Sequence, residues 1–333
     1  MSASWQPIPI HTIEGFRIGH STNLEAATGC TVIVAPEGAT GGIDVRGGAP
    51  ASRETDLLRP ENTVETVHAV CLSGGSAFGL EAASGVAREL EACGIGLDVG
   101  VARVPIVCSS CIFDLAFGSA SVRPGVAEGI EATRAALDAE PAPLAEGTVG
   151  AGTGATVGKL NGSAMLMKGG LGARAREAGE LKIGAISVVN ACGNVVDPTT
   201  GTAIAGMRAA ADSLEIVSME DAMLAAAEHL AMPLDRTNTT ISCIITNARL
   251  TKAQATKLAQ MAADAYAHTI RPTHTTNDGD TIYVLASGAL GDRAFPLDVL
   301  GVAATRVLEE AICAGCLSAD GIHGAPAFSD LHK

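Results

Sequence analysis

The chain has 333 residues, a formal net charge of −14, 47% apolar residues and only 3% aromatic ones. That charge, with no basic run anywhere, argues against nucleic acid and anionic membrane as partners, because both need positive surface. No apolar run approaches the ~18 residues of a membrane span, and Met1–Pro7 lacks the charged and apolar regions of a signal peptide, so the chain reads as cytoplasmic.

The length allows one large domain or two medium ones. With so few aromatics, the core must be built from Ala, Val, Leu and Ile. The 39 glycines spread along the chain and suit tight turns and close backbone approaches. Nine cysteines lie scattered in apolar sequence, where free Cys behaves as a small hydrophobe. Two Cys-x-x-Cys pairs occur, Cys108/Cys111 and Cys313/Cys316. Neither sits in a Gly-rich knuckle, so no metal is expected.

In chain order, residues 8–45 alternate apolar runs with Gly and polar breaks, which predicts short strands joined by turns. Arg46-Gly47-Gly48 opens a loop. Val67–Leu72 reads as a buried strand that runs into Ser73-Gly74-Gly75-Ser76 and then an amphipathic helix through about Cys93, stopped by Gly94. A strand, a Gly pair and a helix start make a nest of N–H groups suited to an anion or oxyanion. The same residues read equally well as a tight turn. Val104–Val107 starts another strand, Ile130–Leu137 is a short helix, and Pro141 and Pro143 break it.

The Gly-rich stretch from Gly150 to Leu160 resembles a phosphate loop only superficially. Thr153 and Leu160 occupy the places where that motif needs Gly and Ser or Thr. More Gly follows where a dinucleotide site would need a helix. What remains is a lysine, Lys159 or Lys168, inside close-packed backbone. A desolvated lysine has a lowered pKa and can act as a base. Ala185–Val196 reads as an apolar strand broken by Asn190, whose amide must find partners if buried; it reads equally well as an oxyanion donor or as an Asn holding a turn before Gly193.

Residues 219–231 predict a helix ending before Pro233. Then Arg236-Thr237-Asn238 gives way to a β-prone run, Thr239–Thr246. We read the Asn238–Thr239 peptide bond as one that the protein cuts itself. A hydroxyl needs an adjacent base to act as a nucleophile. A Thr at a chain start carries that base as its own α-amine, with an ordinary pKa of roughly 7.7–8.0. Thr251-x-x-Gln254 is a capping box that opens a helix to about His268. Asp278-Gly279-Asp280 precedes a strand, Thr281–Leu285; the motif reads either as a turn entering that strand or as two carboxylates that hold an N-terminal ammonium. A helix covers 298–316, and the tail from Ala319 is loop-like.

Six stretches in order carry a resemblance over nearly the whole chain: Arg46-Gly47-Gly48, Leu72–Ala82, Gly150–Lys159, Val188-Val189-Asn190, Asn238–Ile241 and Asp278–Thr281. Together they resemble the self-cleaving family of L-aminopeptidase/D-esterases, β-peptidyl aminopeptidases and the nylon-oligomer (6-aminohexanoate oligomer) endo-hydrolase. The resemblance implies an α/β fold, a four-layer α/β/β/α sandwich, formed as one domain over residues 1–333 and cut into 1–238 and 239–333. It implies Thr239 as nucleophile, Lys159 beside it, Asn190 at the oxyanion, and Asp278 and Asp280 around the new amine. Thr, Lys and paired Asp match the nylon-hydrolase branch, whereas the aminopeptidase branch uses Ser as nucleophile. It also implies a small peptide or amide substrate, no cofactor, and a homotetramer of cleaved pairs. One departure is Phe113, which stands where some members carry a Tyr. Two other readings follow from related chemistry: an acyltransferase of the ornithine acetyltransferase type, and an uncleaved binding protein on the same fold.

Overall fold

The computed structural model describes residues 5–226, apart from 139, 141 and 161, together with 238–332. Eight main strands are β1 (Arg17–Asn23), β2 (Thr28–Val45), β3 (Val67–Ser73), β4 (Val107–Cys111), β5 (Gly170–Ala178), β6 (Leu181–Asn190), β7 (Thr239–Thr246) and β8 (Thr281–Ala286). The helices are α1 (Ala82–Ala92), α2 (Val126–Asp138), α3 (Met219–Ala226), α4 (Lys252–Ala262), α5 (Asp264–Thr269) and α6 (Leu297–Leu317). The predicted capping box is present, with Thr251 and Gln254 bonding reciprocally. The helix expected over 219–231 begins at Met219; its part beyond 226, and Arg236 and Thr237, lie outside the described residues.

One expected short strand is present as Arg17–Asn23, but Thr28–Val45 departs from the expectation. β2 is a single 18-residue strand that belongs to two sheets. Its first part pairs with β1 and β3, and its last part pairs with β8. The register shifts between Val34 and Ala39. Pro36 has no N–H to give the ladder, and Gly38 takes φ +81°. The polar breaks in the sequence therefore mark a bend within one strand.

From this shared strand two sheets diverge. One runs β5-β6-β7-β8 into the end of β2, and the other runs β1, the start of β2, β3 and β4. Three apolar layers follow from the alternation of side chains along each strand. Ile241, Cys243 and Ile245 of β7 point between the sheets, against Ile33, Val70 and Leu72. Ile244 points the other way, to Leu258, Tyr266, Leu300 and Val307 of α4–α6. Val32, Val34 and Cys71 face α1 and α2. The architecture is an α/β/β/α sandwich.

Glycine sets the spacing of these layers. A Cβ on Gly172 would lie 2.1 Å from the Ala311 carbonyl and 2.4 Å from the Gly315 nitrogen, so α6 sits directly on the β5 backbone. Adding that methyl must push helix from sheet, because close-packed interiors do not yield cheaply. Gly172→Ala is expected to cost about 1–3 kcal/mol, read as a lower denaturant midpoint at unchanged slope.

Candidate active site

The paired ends of β6, β7 and β8 bring the predicted residues together. Asn190, the last residue of β6, is the ladder partner of Thr239, the first of β7. One residue earlier, Asn238 forms an isolated parallel bridge to Asp278, just ahead of β8. Thr239 is buried, and its hydroxyl donates to the carbonyl oxygen of Asn238. The same oxygen accepts the Gly279 N–H at 3.2 Å.

Lys159 comes to this point from the Gly-rich loop. Its Nζ donates to Asn190 Oδ1 at 2.6 Å and to the Asn190 carbonyl at 3.1 Å. Asn190 Oδ1 also accepts the Thr156 N–H at 3.0 Å, and its Nδ2 donates to the Phe113 carbonyl at 3.1 Å. Asn190 is thereby fixed from three directions. Burial pulls the Lys159 ammonium down to about 7; Cys192, Asp278 and Asp114 oppose that shift and Lys168 reinforces it. Lys168 is also fully buried, but it faces another way. Its Nζ donates to the carbonyls of Ala155 (2.5 Å), Thr153 (3.1 Å) and Gly152 (3.4 Å), so it braces the loop that presents Lys159.

The two aspartates differ in environment. Asp280 Oδ1 accepts the Thr240 N–H at 2.8 Å. Its Oδ2 accepts the Thr273 hydroxyl at 3.2 Å, the His274 N–H at 3.1 Å and the His274 ring at 2.8 Å, with Nδ1 carrying the proton because a carboxylate only accepts. His274 is held at φ +56° and stacks on Tyr266, ring centroids 5.4 Å apart. The Tyr266 hydroxyl in turn reaches the Thr240 carbonyl at 3.1 Å. Asp278 Oδ2 accepts the Thr275 N–H at 2.6 Å. Asp278 Oδ1 is buried and has no partner among the described residues. Burial raises the Asp278 carboxyl to about 6, and the charge of Asp280 adds to the rise; Thr275 and Lys159 work against it.

The remaining motifs hold this arrangement in place. Arg46 and Gly47 donate N–H groups to the Asp280 carbonyl at 3.0 and 3.3 Å, and the Ala49 N–H reaches the Asp278 carbonyl at 2.8 Å. The Gly74–Gly75 nest does not stand open. The Gly75 N–H binds Asp114 Oδ1 at 2.7 Å, and the Gly74 N–H binds the Gly29 carbonyl at 2.9 Å. The anion in this nest is the chain's own Asp114, which also accepts the Thr28 hydroxyl at 2.7 Å. A cavity of about 170 Å³ beside Lys159 is lined by Phe113, Asp114, Phe117, Thr156 and Leu166. A larger groove of about 960 Å³, along α5 and α6, contains none of these residues.

Sequence reasoning passed over Asp114, Thr273, His274, Thr275 and Gly279. Asp114 had a signal, as the one charge in the apolar run from Ile106 to Phe117. His274 had none, since only the turn that gives it a positive φ brings its ring to Asp280. Removing a hydrogen bond to a charged group costs about 1.5–3 kcal/mol. His274→Ala is expected to lose that much in denaturant unfolding. His274→Asn is expected to lose less, because Asn tolerates positive φ and its Nδ2 can stand near the position of the imidazole Nδ1.

Known proteins resemble this chain throughout its length. Peptidase family S58 matches residues 9–327. An uncharacterized aminopeptidase of Mycobacterium tuberculosis is 39% identical, covering 97% of this chain and 97% of its own. The 6-aminohexanoate-oligomer endohydrolase of Paenarthrobacter ureafaciens is 32% identical over 90% of this chain and 83% of its own. Among solved structures, the L-aminopeptidase D-Ala-esterase/amidase of Ochrobactrum anthropi, described as a variant of the Ntn hydrolase fold, superposes with a TM-score of 0.67 at 18% identity, covering 96% of this chain and 88% of that one. A Burkholderia β-aminopeptidase gives 0.66 at 21% identity, covering 98% and 94%. At the last two identities the likeness is one of fold. The match to residues 9–327 and the relatives above 30% identity settle the family: this chain belongs to peptidase family S58, and it is a hydrolase of amide bonds.

Proposed function

We propose that the chain cuts itself between Asn238 and Thr239, and that Thr239, as a new N-terminus, hydrolyses small peptides or linear amides through an acyl ester on its hydroxyl. The observation that carries this reading is the contact of the Thr239 hydroxyl with the Asn238 carbonyl group, in a buried site beside Lys159 and two carboxylates. In the cut, the hydroxyl oxygen adds to the Asn238 carbonyl carbon, the C–N bond breaks, and the amine nitrogen gains the proton. Water then hydrolyses the ester and restores the hydroxyl. Lys159 is the base we assign to the first step, since burial leaves its neutral form well populated near neutral pH.

Cutting also relieves a local imbalance. The uncut chain buries an Asp278 oxygen without a hydrogen bond, which is costly. The ammonium created at Thr239 supplies both a donor and a counter-charge next to the Asp278–Asp280 pair. During turnover the same amine, once neutral, takes the hydroxyl proton and passes it to the leaving amine. Asn190, fixed by Lys159 and Thr156, is assigned to the oxyanion. The chemistry calls for no cofactor.

Aminopeptidase and oligomer endohydrolase names among the relatives favour water over an amine as acceptor. We also propose a cytoplasmic homotetramer of cut pairs. Exposed Leu97, Val99, Val101 and Val104 on one hairpin, with Val299 and Val302 on α6, support association. Free cysteines throughout the chain support a reducing compartment, and no helix among the described residues is long and apolar enough to cross a membrane.

Intact mass of freshly purified protein tests the cut. Wild type is expected to give two fragments that meet at Asn238/Thr239, and Thr239→Ala one full-length species. A wild-type chain that stays whole on long incubation would sink the mechanism. The cutting rate carries a pH signature as well. Lys159 is charged and inert below its pKa of about 7 and becomes a base above it. The rate is therefore expected to rise about tenfold per pH unit below 7 and level off above, and Lys159→Met should abolish the rise. A flat profile in wild type would remove Lys159 from the base role. Acetyl transfer from acetylornithine to glutamate is expected to stay at background.

A further inference from the structure

Asn238 supplies the first acyl group that this site handles. Its carbonyl oxygen accepts the Thr239 hydroxyl and, at 3.2 Å, the Gly279 N–H. The second bond belongs to an isolated bridge that continues the pairing of β7 and β8 three positions beyond its first ladder pair, Ile241 with Thr281, so that Asn238 stands opposite Asp278. Gly279 is held on both sides. Its carbonyl accepts the Thr281 hydroxyl at 2.8 Å, and the preceding Asp278 carbonyl accepts the Ala49 N–H at 2.8 Å. A Cβ on Gly279 would stand 2.7 Å from Thr239 Oγ1, 3.1 Å from Thr239 Cγ2 and 3.1 Å from the Ala49 carbonyl. The residue thus presents its N–H to the reacting carbonyl and, by lacking a side chain, leaves the hydroxyl room to turn.

We propose that the Gly279 N–H is a catalytic oxyanion donor, first to the Asn238 carbonyl during self-cutting and then to the acyl carbonyl of each amide substrate. The proposal rests on the reading of Thr239 as nucleophile. Cutting and turnover are the same addition: Thr239 Oγ1 bonds to a carbonyl carbon, the π pair moves onto oxygen, and the C–N bond breaks as nitrogen takes the hydroxyl's proton. Whatever faces the first carbonyl oxygen is preorganised for those that follow. A backbone N–H fixed by a sheet costs no reorganisation when charge develops, which is why such donors matter in buried sites. The substrate's acyl residue then takes the place of Asn238, extended beside Asp278 and continuing the line of β7, in the manner of an added strand.

The test begins with the wild-type enzyme after cutting. A peptide aldehyde of an apolar amino acid is added, and the adduct structure is solved. The expected result is a hemiacetal on Thr239 with its oxygen within hydrogen-bond distance of the Gly279 nitrogen. A hemiacetal on Thr239 whose oxygen faces elsewhere overturns the proposal and leaves the nucleophile in place. Aldehyde bound without a bond to Thr239 overturns the nucleophile reading and this one with it. A kinetic arm replaces Gly279 by glycolic acid in cell-free translation, which exchanges the N–H for an ester oxygen. Removing one such donor costs about 10²–10³ in rate, so cutting should slow by that factor. In enzyme that has finished cutting, kcat should fall similarly with KM unchanged. Wild-type cutting by folded ester protein overturns the proposal.

Discussion

Everything at this site depends on the register of β7 between β6 and β8. Pairing Asn190 with Thr239, and Asn238 with Asp278, places a hydroxyl, a carbonyl, a lysine and two carboxylates within one small volume. A slip of one residue would turn every side chain of β7 to the opposite face. It would carry Ile241, Cys243 and Ile245 out of the layer between the sheets and expose polar Ser242 and Thr240 to it. The apolar cost of that slip holds Thr239 in position. Catalytic geometry and core packing are thus set by the same alternation.

The second theme is buried charge. Lys159, Lys168, Asp114, Asp278 and Asp280 are all at most 7% exposed. An isolated buried charge is expensive, and each of these is balanced by partners of a different kind. Lys168 lies against three carbonyls, Asp114 in an N–H nest with a hydroxyl, and Asp280 among Thr240, Thr273 and His274. Those three brace the structure. Burial brings Lys159 and Lys168 alike to about 7 and Asp278 to about 6, so burial by itself does not single out Lys159. Perturbed groups of this sort mark functional positions when geometry agrees. Lys159 bonds Asn190, the ladder partner of Thr239, and Asp278 is the bridge partner of Asn238, whereas Lys168 is turned to the carbonyls of the Gly-rich loop.

Much of this was legible from the residues. The β-prone run after Asn238, the capping box at Thr251 and the buried strand at Val67 read directly, because local pattern and final structure agree there. The long β2 did not, because Pro36 and Gly38 signal a break and only tertiary pairing joins the two halves. Lys159 could not be separated from Lys168 by sequence, since both sit in similar Gly-rich surroundings and differ only in where the folded backbone aims them. The Gly74–Gly75 nest was visible as a nest, but its occupant, Asp114, comes from a strand end 39 residues away. His274 and Gly279 act through backbone conformation, a positive φ and a missing Cβ, and such roles leave little trace in residue type.

The central claim is that Thr239 carries the acyl group. The most direct measurement is acid quench during turnover of an amide substrate, followed by mass spectrometry of the fragment that begins at Thr239. The account predicts a transient mass increase equal to the acyl group, located at residue 239 by fragmentation and lost once substrate is consumed. An active enzyme whose fragment never gains that mass, or gains it at Cys192 or Lys159, would contradict it.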